Sequence, residues 1–313
     1  MAFDVSALAA YIENRDFPLV GYLQVAPELT ASEATVQVGL KGTSNLHYLE
    51  TDVVFQDGLG CSRSASGTTT FTDKPITVKQ VAIAEDLCLD DLRNKWTQIL
   101  LKQGTMTGKQ VMPEEIAEIY FEEKNMKLIQ AIDVADWRGD TASGTANLNR
   151  YNGWLKIIDA AGDAVDGNTG SVTVATGVTA ANILAILEGL WLSRTEELSE
   201  RTDNVMYVPK TWYDLYISAL KAANMFHYKS EDGDTMYYGT DVKIRPTYGL
   251  RGTNRAVLTY PSNLIIGMDG ENDTEFSFRV DPVTNKKVLV DADWTRGTQV
   301  WFTDQVVEFT LVP

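Results

Sequence analysis

The sequence predicts an α+β fold, on three observations. One amphipathic helix runs without interruption from Pro113 to Arg138. Two long strand-like runs, His47 to Gln56 and Thr68 to Val81, flank a tip of small residues and carry too few apolar side chains for a core of their own. Most remaining strands gather toward the C-terminus, whereas a nucleotide-binding sheet would alternate strands and helices as βαβ units.

Taken in order, residues 1–43 open with Phe3, Leu8, Tyr11 and Ile12, the pattern of a short helix with one apolar side. Pro18 and Pro27 then bracket an extended stretch. Such an arm cannot bury its apolar side alone and must pack on the body or on a neighbour. In residues 44–84, Tyr48, Val53, Phe55, Thr69, Phe71, Ile76 and Val78 suit a pleated ribbon around the tip Asp57 to Gly67. A two-stranded ribbon of this length is marginal by itself in water. It either folds onto a sheet of its own chain or reaches onto another subunit, and the residues leave both open.

Residues 85–111 read as a helix opened by Glu85 and Asp86 and ended by Gly104 and Gly108. In the helix 113–138, proline occupies the first turn, where its missing N–H costs nothing. Glu114, Glu115 and Glu118 load its start, and Lys124, Lys127 and Arg138 lie further on, as the helix dipole favours. Ala117, Phe121, Leu128, Ile132 and Ala135 form an apolar stripe, and Gly139 closes the rod. At 1.5 Å per residue it is roughly 39 Å long, enough to span a domain.

Beyond it, Gly153 to Ile158 reads as an apolar strand, and Thr179 caps a helix reaching Leu198. Val205 to Val208 is a buried-strand run and Lys210 to Asn224 a further helix. Strands follow at Val242–Ile244, Ala256–Thr259, Leu264–Met268, Thr274–Val280, Lys286–Val290 and Val300–Leu311, with a turn at Asp281–Asn285. No internal repeat or low-complexity tract occurs.

Composition narrows function by exclusion. The 313 residues suffice for about two compact units. Apolar residues at 44% and charged residues at 22% mark a globular chain. A net charge of −16, from 27 basic and 43 acidic residues, argues against a sequence-independent grip on phosphate backbones. No secretory signal and no bilayer-spanning run is read. The two cysteines, Cys61 and Cys88, are too few for a disulfide scaffold and are expected to be free thiols.

Enzyme chemistry finds little support. The only histidines, His47 and His227, sit in no catalytic context; His227 reads as a structural residue at a helix end. Gly104 to Gln110 misses the phosphate-loop spacing and ends in Gln where magnesium needs Ser or Thr. The acidic clusters 269–275 and 230–234 lack calcium-loop spacing and read as solvated turns. Asn272-Asp273-Thr274 matches a glycosylation pattern that matters only in a secreted chain. No catalytic residue, cofactor or metal is expected.

The chain resembles the major capsid proteins of tailed bacteriophages with the Hong Kong 97-type fold. The likeness is carried by Ala65-Ser-Gly-Thr-Thr-Thr-Phe-Thr72, Ile83-Ala-Glu-Asp-Leu-Cys88, Ala135-Asp-Trp-Arg-Gly-Asp140 and Asn149-Arg-Tyr-Asn-Gly-Trp-Leu155. With Phe3-Asp-Val-Ser-Ala-Leu8 they look like the subset from phages of Bacteroidetes. The resemblance covers nearly the whole chain, and the order of the motifs is its stronger part.

The resemblance implies an N-terminal arm (1–43), an extended loop across a neighbouring subunit (44–84) and a peripheral domain (85–140) with spine helix 113–138. It also implies an axial domain (141–262) and a return to the peripheral domain (263–313). The function implied is a self-assembling icosahedral shell around a double-stranded DNA genome, located in the virion and assembled in the host bacterial cytoplasm. Partners would be further copies in hexamers and pentamers, with portal, scaffolding and decoration proteins, and only weak contact to packaged DNA. Phe3, Leu8, Tyr11, Phe55, Leu59, Arg63, Phe71 and Lys74 are the expected inter-subunit residues. The chain starts close to the arm, so the resemblance implies a separate scaffolding protein or none. The family's type member joins a lysine of this loop to a neighbour's asparagine; here Leu46 to Asp73 contains no lysine, and Lys41 and Lys74 stand only at the base, so no such cross-link is expected.

Physics favours assembly independently, because arm and ribbon are costly to order and regain that cost only in large interfaces. Two alternatives stand beside the virion shell. One is an encapsulin-like compartment on the same fold, which a cargo enzyme would distinguish. The other is a carbohydrate-binding or carbohydrate-active protein, suggested by 7 Trp and 13 Tyr, although those aromatics recur at core spacings.

Overall fold

The structure, a computed structural model, describes residues 33–55, 66–88, 114–168, 172–173, 177–224, 235–270, 275–280 and 287–311; at 87–88, 114–123, 275–280 and 287–288 it describes the backbone alone. Elements are numbered in chain order. The strands are β1 (Thr35–Gln37), β2 (Thr43–Thr51), β3 (Thr69–Thr77), β4 (Lys79–Cys88), β5 (Val165–Asp166), β6 (Val205–Pro209), β7 (Lys243–Thr247), β8 (Ala256–Thr259), β9 (Leu264–Gly267), β10 (Glu275–Val280), β11 (Lys287–Val300) and β12 (Val307–Phe309). The helices are α1 (Glu114–Arg138), α2 (Trp154–Ala161), α3 (Ile183–Leu192), α4 (Glu196–Ser199) and α5 (Lys210–Ala222).

The fold is α+β. One five-stranded sheet has β11 at its centre: its first ten residues pair with β4, six of them also with β10 on the other side, and its last four pair with β9. β1 adds in parallel to β9. The second five-stranded sheet runs β5-β12-β8-β6-β7. Its core gathers Ile183, Leu187 and Leu190 of α3 with Trp212, Tyr216 and Leu220 of α5 around Met206, Leu258 and Phe309. A second core joins the two halves. Trp137 of α1 stands edge-on to Trp154 of α2 at 5.0 Å, and Tyr207, Val257, Leu264 and Ile266 close around them.

The long helix spans 114–138 against the expected 113–138. Leu128 and Ile132 of its apolar stripe pack on Ala292 and Trp294 of β11. Four expectations are corrected. Residues 85–88, read as a helix start, complete β4; alternation of Val81, Ile83 and Glu85 with Ala82, Ala84 and Asp86 fits a strand, and β11 supplies ten partners. The remainder of that expected helix, and the turn 281–285, lie outside the described residues.

Residues 153–158, read as a strand, form α2, because burial falls on Trp154, Leu155 and Ile158, a helical spacing. The helix expected from Thr179 to Leu198 breaks into α3 and α4. Asn182 occupies the N-cap position of α3, and the Thr195 hydroxyl accepts the Leu198 N–H to cap α4. Finally, the strand expected over 300–311 is only β12, because Val300 belongs to β11, which runs on from the expected 286–290 segment. Asp291, Asp293 and Arg296 obscure that continuity in the sequence, since they read as loop.

Candidate functional site

Strands β2 and β3 form a two-stranded ribbon separate from both five-stranded sheets. Its register pairs Thr43 with Thr77, His47 with Asp73, Leu49 with Phe71 and Thr51 with Thr69. Period-two alternation gives the ribbon two unlike faces. One carries Leu46, Tyr48, Lys74 and Ile76 and is seated on the body. Leu46 and Ile76 are buried against Ile265, each contributing on the order of 1.5–3 kcal/mol. The Tyr48 ring stands edge-on to Phe302 at 5.3 Å and to Trp301 at 6.2 Å.

Lys74 does not reach outward. Its Nζ donates to the Trp301 carbonyl oxygen at 3.0 Å. Burial pushes its pKa down, against the opposing pull of Asp163 and Asp304. The Gln299 side-chain amide donates to the Pro75 carbonyl, and Val78 N–H to the Gly42 carbonyl at 2.7 Å. At Gly297 the β11 backbone crosses the ribbon base so closely that a Cβ there would collide with the Thr77 carbonyl oxygen.

The opposite face looks into solvent. The Thr43–Thr77 and Thr51–Thr69 hydroxyl pairs lie 3.1 and 2.9 Å apart, and His47 Nδ1 meets Asp73 Oδ1 at 2.6 Å. Between them stands the apolar pair Leu49 and Phe71, 54% and 79% exposed, followed by Val53 and Phe55 at 70% and 96%. No cluster of three potential metal ligands occurs among the described residues. Nor is any described helix long and apolar enough to cross a membrane.

A buried charge network fixes the strand on which the ribbon rests. Arg296 of β11 donates from Nε and Nη2 to the two oxygens of Asp136 on α1, at 2.8 and 2.6 Å. Burial opposes the guanidinium charge, but the adjacent Asp136 carboxylate outweighs it and raises the Arg296 pKa. Tyr151 donates to the same Asp136 at 2.7 Å, and burial beside that carboxylate pushes the phenol well up. One residue further along, Gly297 meets Thr77. Helix α1 thereby sets the position of the ribbon base through β11.

Of the expected interface residues, Phe55 and Phe71 are exposed on the ribbon, while Lys74 is turned into its base. Phe3, Leu8, Tyr11, Leu59 and Arg63 lie outside the described residues, as do His227, Cys61 and the glycine stretch 104–110. Sequence reasoning missed Leu49, Val53 and Val54 as exposed apolar residues; alternation with His47 and Thr51 was the signal that placed Leu49 on the outer face. It also missed the Asp136–Arg296 pair.

No family model matches the chain, and no curated protein matches it. Solved structures do. A chain of the satellite phage P4 procapsid aligns over 94% of this chain and 98% of its own length, at TM-score 0.60 and 10% identity. A chain of the capsid of an empty GTA particle covers 99% of each, at TM-score 0.56 and 13% identity. The capsid of Myoviridae phage XM1 covers 90% of each, at TM-score 0.55 and 14% identity.

The chain has the Hong Kong 97-type phage-capsid fold.

Proposed function

We propose that this chain is the major capsid protein of a tailed double-stranded DNA phage and builds an icosahedral head from copies of itself. The observation that carries this reading is the ribbon, seated on its own chain by one face while Leu49, Phe71, Val53 and Phe55 stand exposed on a capsid fold. Covering such side chains releases roughly 25 cal/mol per Å² of apolar surface, and a sister copy supplies the cover.

In this reading residues 1–43 are the arm, 44–84 the extended loop, 85–140 and 263–313 the peripheral domain, and 141–262 the axial domain. Phe3, Leu8, Tyr11, Phe55, Leu59, Arg63 and Phe71 contact neighbours, with Lys74 holding the loop base. The chain acts as structural material and not as an enzyme. Portal, scaffolding and decoration proteins would be its further partners, and the virion its final location after assembly in the host cytoplasm. The acidic balance of −16 per copy is screened by salt during assembly and leaves packaged DNA weakly held.

Sedimentation and electron microscopy of the purified chain, alone and with its phage's scaffolding and portal proteins, test the proposal. Rings and closed shells support it; monomers under all these conditions overturn it.

A further inference from the structure

The loop between α1 and α2 closes on one dipeptide. Asn152-Gly153 is the only Asn-Gly pair in the sequence. The Gly153 N–H donates to the Gly139 carbonyl oxygen at 2.8 Å, just past the end of α1. The Asn152 Oδ1 accepts both the Thr141 N–H and the Thr141 hydroxyl, each at 3.0 Å. The Asn152 backbone carbonyl accepts the Thr298 hydroxyl of β11 at 2.6 Å. The preceding residue, Tyr151, donates to Asp136 of α1 at 2.7 Å. A Cβ at Gly153 would lie 2.6 Å from the Gly139 nitrogen, so the two backbones meet without slack. Asn152 is exposed and Gly153 buried.

An Asn-Gly pair carries its own chemistry, because glycine has no Cβ to obstruct it. The Gly153 nitrogen, on giving its proton to solvent base, attacks Asn152 Cγ. The new N–Cγ bond closes a succinimide, the Cγ–Nδ2 bond breaks, and ammonia leaves. Water then opens the ring to an aspartate or an isoaspartate. In the folded chain both partners are held. Gly139 engages the Gly153 N–H, Thr141 pins the Asn152 amide, and Thr298 pins the peptide between them.

We propose that Asn152-Gly153 is a gated deamidation site, closed in the folded chain and reactive only when the loop before α2 lifts from α1 and β11. The step is one-way. An isoaspartate adds a carbon to the main chain where Gly139 and Gly153 leave no slack, so a chain that reacts while open does not reseat Tyr151 on Asp136. The junction thereby keeps a covalent record of having opened. This inference stands apart from the shell reading.

The test incubates the full chain in mildly alkaline buffer, folded and in concentrated urea. Mass spectrometry follows the peptide carrying Asn152, and methyltransferase labelling reads isoaspartate. The folded chain should react roughly a hundredfold more slowly, the factor for an opening that costs about 2.8 kcal/mol. Thr141→Val and Thr298→Val each remove one hydroxyl donor and should speed the folded reaction roughly two- to tenfold. Ile183→Val, in the core of the second sheet, lowers overall stability without touching the junction and should leave the rate unchanged. Equal rates in the folded and unfolded chain overturn the gate. So does a lack of acceleration in both threonine variants, or an equal acceleration by Ile183→Val. Isoaspartate-bearing chains that keep the thermal midpoint of the unaltered protein overturn the one-way record.

Discussion

Arg296 and Asp136 lie 160 residues apart in sequence and meet through two parallel hydrogen bonds of 2.8 and 2.6 Å, both side chains almost wholly removed from water. The pair ties the central strand β11 to α1 one residue before β11 crosses the ribbon base. A buried pair of this kind gives little net stability over an apolar replacement, but breaking it strands a charge.

Arg296→Met should therefore destabilise the monomer by about 3–5 kcal/mol in urea unfolding, because Asp136 is left buried and unpaired. Adding Asp136→Leu should recover a large part of that loss. A single substitution with no effect on the midpoint would contradict this account of the network.

Leu49→Ser and Phe71→Ser remove exposed apolar side chains and should change monomer stability by less than about 0.5 kcal/mol. The same substitutions should suppress shell formation. Thermal unfolding read beside sedimentation separates the two effects, since a folding defect would move both.

Gly297→Ala places a methyl group against the Thr77 carbonyl oxygen, where the Thr77–Val78 backbone leaves no room. Overpacking of this type costs about 1–3 kcal/mol. The loss should come with faster protease cleavage within 43–77, because the ribbon base is what must shift.

Much of this architecture was legible in the sequence and part was not. The long helix was readable because Ala117, Phe121, Leu128, Ile132 and Ala135 repeat at helical spacing over several turns. The ribbon was readable from β-branched and aromatic runs around a glycine- and serine-rich tip. Residues 154–158 misled because a short apolar run suits a buried strand and a buried helix equally, and only packing against Trp137 decides. Residues 85–88 misled because Glu85 and Asp86 resemble a helix start, while the deciding partner, β11, lies some two hundred residues away. The Asp136–Arg296 tie has no local pattern at all. On the ribbon, alternation showed which side chains share a face but not which face the body covers; that depends on Ile265, Trp301 and Phe302.

Glu308 on β12 offers a pH test. Burial raises its pKa, and Arg255, which it shares with Asp159, offsets this only in part. The folded state thus holds the Glu308 proton more tightly than the unfolded chain, whose ordinary value is 4.5. Its favourable contribution is complete below 4.5 and is lost as pH rises through the raised folded value. Glu308→Gln lacks that dependence. The thermal midpoint of the unaltered protein minus that of the variant should fall as pH is raised from 4.5 toward neutrality. A difference that rises over the same window would contradict the assignment.

The most direct test of the whole account is a cryo-electron microscopy map of the native particle. The account predicts a closed shell in which each ribbon lies on a sister copy, with Leu49 and Phe71 covered by that neighbour. A shell or smaller particle in which those two side chains face solvent, or fold back onto their own chain, would contradict it.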